Sequence, residues 1–114
     1  MQNIQDKRVT DKIKFVQDTL YVINGKWKLP IIIAVYYGNS RFTDLKKCIP
    51  NITSRVLSKE LKELEANKLI KRSLNSDFPH IIKYTLNDYS FTLDPIIKAM
   101  ANWGEQHRKK ISEE

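Results

Sequence analysis

Absences bound this chain before any pattern does. It has one cysteine, Cys48, so no intrachain disulfide can form, which fits a reducing compartment. Its two histidines, His80 and His107, stand with that cysteine and scattered carboxylates at no metal-ligand spacing, so no metal and no cofactor are expected. No paired carboxylates, no nucleophile–base arrangement and no phosphate-cradling glycine loop occur, and an enzyme is therefore not expected. The longest apolar stretch, Pro30–Tyr37, is far too short to span a bilayer, and the first residues lack the apolar run of a signal peptide. The expectation is a cytoplasmic protein with no place in a membrane. Acidic residues are also scarce, 13 against 20 Lys and Arg, for a net charge of +7. That excess favours an anionic partner, nucleic acid or an anionic surface being the usual candidates.

The 114 residues, 41% hydrophobic and 29% charged, fit one domain, 1–114, with a core of its own. Residues 1–10 are polar and are expected to fray. The spacing predicts a helix over 11–23, with Ile13, Val16, Leu20 and Ile23 on one face and Phe15 and Val22 on a second. One stripe can pack on the core, while the other needs a partner such as a second subunit. Asn24-Gly25 stops that helix. A second helix should begin near Lys26, with Pro30 in or near its first turn, and Gly38-Asn39 should end it. Trp27, Leu29, Ile31–Val35 and Tyr36 make it apolar nearly all round, which predicts the central buried helix.

Residues 41–86 are the most informative. A third helix, Arg41–Ile49 with Ser40 as its N-cap, places Phe42, Leu45 and Ile49 on one face. Pro50-Asn51-Ile52 forms a tight turn, and Thr53 caps a fourth helix running to about Asn67. Strands follow at Leu69–Leu74 and Ile81–Leu86, joined by the polar loop Asn75–His80. In the second strand Ile82, Tyr84 and Leu86 share a face; in the first, either Ile70 and Leu74 or Leu69 turns inward. This order reads as a winged helix-turn-helix: mainly α, with a small two-stranded antiparallel β wing.

The fourth helix buries Leu57, Leu61 and Leu64 and turns Arg55, Ser58, Lys59 and Lys62 outward. Arg41 to Arg72 carry nine basic and four acidic residues, so most of the excess charge lies within this unit. A last helix is predicted from about Asp88 to Lys110, capped by Asn87 or Asp88 and kinked near its start by Pro95. Its apolar band of Leu93, Ile96, Ile97, Met100, Ala101 and Trp103 is broader than one small core needs. With helix 11–23 it suggests a homodimer through the terminal helices, which would present two recognition helices to a pseudo-palindromic operator.

These segments resemble a family. Ile23-Asn24-Gly25-Lys26-Trp27-Lys28 is similar to the IGGKW segment of HxlR-type regulators, bacterial winged-helix transcription factors related to the MarR group. Ser40–Leu45 resembles their RFxEL segment, and Ile49–Ser58 their IPGISxxxL(T/S) segment. Leu61–Glu65 with Leu69-Ile70 resembles LxxLExxGLI, Pro79–Leu86 resembles PxxVEYxLT, and Trp103-Gly104 resembles the final WG. The series spans about 13–107 in order. It implies a homodimeric DNA-binding regulator, with no enzymatic activity and with the terminal helices forming the dimer. The chain departs at Asn24, Lys83 and Ser90, and it has no cysteine before its first helix, where many members carry an oxidant sensor. The resemblance therefore does not carry redox sensing over.

Candidate groove contacts are Thr53, Ser54, Arg55, Ser58 and Lys59, and candidate phosphate contacts are Arg41, Lys62, Arg72 and Lys83. The loop 75–80 would lie on the backbone or in the minor groove. Cys48 follows Lys46 and Lys47, whose charges favour a reactive thiolate, which makes it a candidate redox or effector sensor. It also adjoins the Phe42–Leu45–Ile49 stripe, and burial there is the preferred reading. A small-molecule effector is left open. Repression is the expected sign of regulation. The rival reading is a winged-helix module for protein–protein assembly without specific DNA binding, which the basic helix face disfavours.

Overall fold

The computed structural model describes residues 4–113, and side chains from Asp6 onward. Five α-helices and two strands follow in the order α1 (Ile4–Ile23), α2 (Lys28–Tyr36), α3 (Phe42–Cys48), α4 (Ser54–Ala66), β1 (Ile70–Leu74), β2 (Ile82–Leu86), a 3-10 segment (Asp88–Leu93) and α5 (Asp94–Ser112). The expected architecture is present: mainly helical, with a two-stranded antiparallel ribbon.

The core lies where α2, α3, α4 and the base of the ribbon meet, and Ile31, Leu45, Leu57, Leu61, Leu64, Leu69 and Ile70 are all but completely buried there. Leu69 and Ile70 both point inward, which resolves the ambiguity over the first strand, while Leu74 near the tip is exposed. Between α3 and α4 the chain turns through Pro50 and a left-handed Asn51, with Ile49 and Ile52 anchoring the turn. Thr53 caps α4 as expected, its hydroxyl accepting from the Val56 N–H at 3.2 Å. The register pairs Ile70 with Leu86, Arg72 with Tyr84 and Leu74 with Ile82. Directly paired residues share a face, so these six line the core side of the ribbon, and Lys71, Ser73, Lys83 and Thr85 line the other.

Several expectations are corrected. Residues 4–10 are helical, so α1 starts seven residues before Asp11; residues 1–3 of the expected fray lie outside the described residues. Ser40 does not cap α3: Arg41 holds the N-cap position without a side-chain bond, and the Ser40 carbonyl instead accepts the Tyr84 N–H at 2.7 Å. This bond lays the Ser40 backbone along β2 and ties the helical layer to the ribbon. The second helix buries Ile31, Ile32, Ala34 and Val35 but leaves Ile33 and Tyr36 exposed, because only one side meets α3, α4 and β2. Pro95 does not kink the last helix; it sits in the first turn of α5, and residues 88–93 form a 3-10 segment of their own.

The terminal helices hardly enter the core. Among the described residues of α1 only Ile23 is buried, and Ile13, Phe15, Val16 and Leu20 are each more than half exposed, so both stripes leave the core beyond Val22 and Ile23 at the root of the helix. No residue of α5 is buried, and Met100 and Trp103 stand in solvent. The radius of gyration is 17.7 Å, against about 13 Å for a compact chain of this length. No helix among the described residues is long and apolar enough to cross a membrane.

Candidate nucleic-acid interface

The chemistry of α4 follows from its angular order. With Leu57 taken as the inward direction and ~100° per residue, Arg55, Lys59 and Lys62 lie about 140–200° away, on the outward face. All three are exposed, and none forms an ion pair among the described residues. The acidic residues fall on the flanks, and each is held. Glu60 and Glu63 turn toward α2, where the Lys28 ammonium donates to Glu60 Oε2 at 2.7 Å and to Glu63 Oε2 at 2.6 Å. On the other flank Glu65 meets the Arg72 guanidinium at 3.9 Å.

The candidate residues fall into four places. Thr53, Ser54, Arg55 and Lys59 cluster at the exposed N-terminal half of α4. Ser58 and Lys62 line a groove between α4 and the ribbon, with Arg72 and Tyr84 on its far wall. Burial there raises the Tyr84 phenol above its ordinary pKa, against the pull of Arg72, so the ring stays neutral and can donate a hydrogen bond. Arg41 is exposed at the start of α3, next to the Ser40–Tyr84 junction. Lys83 stands apart from Arg72, on the opposite face of the ribbon, although both are exposed.

The loop 75–80 is organised by Asn75. Its Oδ1 accepts the Ile81 N–H, its Nδ2 donates to the Pro79 carbonyl at 3.3 Å, and its own carbonyl accepts from His80 Nδ1 at 3.1 Å. The loop thereby presents Phe78, 91% exposed, at its tip.

Cys48 is exposed, which corrects its expected burial. It falls to the side of the Leu45–Ile49 stripe at the end of a short helix, and its Sγ accepts from Asn39 Nδ2 at 3.6 Å. No group of three or more His, Cys, Asp or Glu among the described residues could hold a metal ion. A separate cavity of about 290 Å³ lies between α2, the 3-10 segment and α5, walled by Tyr36, Tyr37, Phe91 and Ile97.

Lys28 is the residue that sequence reasoning overlooks. It is 4% exposed, buried at the start of α2. A lysine set in the apolar run from Trp27 to Val35, with two glutamates three residues apart on a neighbouring helix, is the signal that could have found it.

The family model described as HxlR-like helix-turn-helix matches residues 22–112. YtcD, an uncharacterized HTH-type transcriptional regulator of Bacillus subtilis (strain 168), is 36% identical over 96 residues, covering 84% of this chain and 76% of its own. Among solved structures, a transcriptional regulator from Enterococcus faecalis V583 assigned to the MarR family is 30% identical with a TM-score of 0.77, over 90% of this chain and 94% of its own. The redox regulator HypR in its reduced form is 35% identical with a TM-score of 0.79, over 87% and 98%.

Proposed function

The chain belongs to the HxlR-like helix-turn-helix family of DNA-binding transcriptional regulators, and from that premise we propose that it binds a pseudo-palindromic operator as a homodimer and represses by occupying it. The observation that carries this reading is the sorting of charge on α4. All three of its glutamates are held by cations of the same chain, while Arg55, Lys59 and Lys62 face outward with no ion pair among the described residues. A helix so arranged offers a polyanion positive charge without a competing carboxylate.

On this reading Thr53, Ser54, Arg55, Ser58 and Lys59 enter the major groove, and Arg41, Lys62, Arg72 and Lys83 meet phosphates. Arg72 keeps its Nε toward Glu65 and turns its terminal N–H groups to a phosphate. Arg72 and Lys83, on opposite faces of the ribbon, would touch the two sides of the backbone that the wing straddles. The protein acts by occupancy and carries out no chemistry of its own.

Dimerisation through α1 and α5 is supported by exposed area. The chain exposes 9227 Å², about 2,700 Å² more than the roughly 6,500 Å² of a compact monomer of this size. That excess is on the scale of what one protomer of an intimate dimer buries.

The test begins with selection of bound duplexes from a random library at two salt concentrations, where paired half-sites are expected. Arg55→Ala should then lose about 1–3 kcal/mol on the selected site and relax preference at one base position, while Lys62→Ala should weaken selected and random duplexes alike. Equal losses for Arg55→Ala on both duplexes would reassign Arg55 to the backbone. In a transcription assay with the site placed over a promoter, increased output would reverse the proposed sign of regulation.

A further inference from the structure

Lys28 is the only buried charged residue among the described residues, and all three of its donors are used. Its Nζ donates to Asn24 Oδ1 at 3.2 Å, to Glu60 Oε2 at 2.7 Å and to Glu63 Oε2 at 2.6 Å. The acceptors belong to separate parts of the molecule. Asn24 directly follows α1, and the two glutamates lie one turn apart on α4. Through one nitrogen, then, the root of the first helix is tied to the helix that carries Arg55 and Lys59.

What that tie controls follows from leverage. The first helix is a 20-residue rod, about 30 Å long. Among its described residues, Val22 and Ile23 at its root pack on the hydrophobic core, and Asp18 and Thr19 face Leu93 and Ile96 across an open cleft. Its direction relative to α4 is therefore set at the junction 24–28, which passes through a left-handed Gly25 with φ +79°. A rotation of about 7° at that junction moves the far end of such a rod by roughly 3.5 Å, one base-pair step. Apolar packing of Val22 and Ile23 is not directional, whereas three hydrogen bonds converging on one ammonium are.

We propose that Lys28 is a specificity-determining positioning residue, which locks the α1 arm to α4 and so sets the number of base pairs between the two half-sites. The inference rests on the dimeric DNA-binding reading above. Lys28 touches no DNA in this scheme; it acts through the helices it joins. A residue needed only for stability would lower the melting temperature and leave the spacing preference of the folded dimer unchanged.

The wild-type protein is first used to select its site. Duplexes carrying the selected half-sites, moved together or apart by one and two base pairs, are then titrated with wild type, Lys28→Met and Glu60→Ala/Glu63→Ala, which removes both acceptors on α4. Each protein is held at a temperature where circular dichroism and light scattering show a folded dimer. Each affinity is divided by that protein's own affinity for random duplex, which absorbs the change in charge. The wild type should lose about tenfold or more per base-pair step, as for a mismatched position, and both variants should stay within about threefold across the series. A wild-type spacing profile in a folded, dimeric variant overturns the proposal. Should Lys28→Met fail to fold, the double alanine variant, which keeps the lysine and frees it to turn to water, decides alone. A wild-type selection without paired half-sites overturns the dimeric reading and this inference with it, and it shows before any variant is measured.

Discussion

Lys68 closes α4 in a conformation that suits it poorly. Its φ is +63°, and its N–H and that of Leu69 bond back to the carbonyls of Glu65 and Leu64, both at 3.0 Å. Gly38 closes α2 with the same pair of bonds, to Val35 and Ala34. The left-handed position is strained for a side chain with a Cβ, and glycine relieves it. Lys68→Gly is therefore expected to stabilise the fold by about 0.5–1 kcal/mol, read as a rise in urea midpoint at unchanged slope. The Asn87 Nδ2 bond to the residue 68 carbonyl involves backbone and survives the change. Single residues were legible where local geometry decides their role. Thr53 before a leucine stripe could be read as a cap because capping needs only a hydroxyl and the next turn. Lys28 and Cys48 could not be read this way. Their burial depends on which neighbouring helix covers them, and in each case the tertiary packing runs against the residue type.

At the scale of elements, the contact between α2 and α4 should leave a signature in pH. Burial acts to lower the Lys28 pKa, but the hydrogen bonds it donates to Glu60 and Glu63, with the charge of those carboxylates, outweigh it and the value is raised. The Glu63 carboxyl is lowered, chiefly by its hydrogen bond with Lys28. A raised lysine contributes stability that is complete below the ordinary lysine range and is lost as pH rises through its folded value. A lowered glutamate contributes stability present above the ordinary carboxylate range and lost as pH falls through its folded value. The stability difference between wild type and Glu63→Gln should hence be flat from about pH 5 to about pH 10 and shrink on either side. Urea unfolding across that range measures it, and a difference still growing below pH 4 would contradict the assigned pairing. The third and fourth helices and the ribbon were legible to within a residue or two, because Pro50, the leucine repeat and the alternation Ile82-Tyr84-Leu86 are local signals. The start of α1 was not legible, because Ile4–Thr10 is polar and carries no core-facing stripe. The break at Asp94 was misplaced because proline both interrupts and opens helices, and composition alone does not tell the two apart.

For the whole molecule, the apolar stripes of α1 and α5 make a direct prediction. Leu20 and Met100 are already at least half exposed on a single chain, so Leu20→Asp and Met100→Asp should leave the fold of that chain intact. Each should shift sedimentation toward the monomer, and the loss of the second half-site contact should weaken operator binding by about a hundredfold or more. A variant that stays dimeric would place the interface elsewhere. The excess apolar surface was legible from the width of the α5 band, but the exposure of both α1 stripes beyond Val22 and Ile23 was not, since amphipathic spacing does not say whose core it meets. The short bond between the Ser40 carbonyl and the Tyr84 N–H has a consequence at this scale too. It occupies the middle of one margin of the ribbon, so strand-by-strand growth along a full edge has to start from the outer margin of β1. There Lys71 and Arg72 would be stacked against their own copies, and like charges in such close file resist templating. In a crowded cell the molecule can therefore bare its helical flanks for a twin without inviting fibrils along its wing.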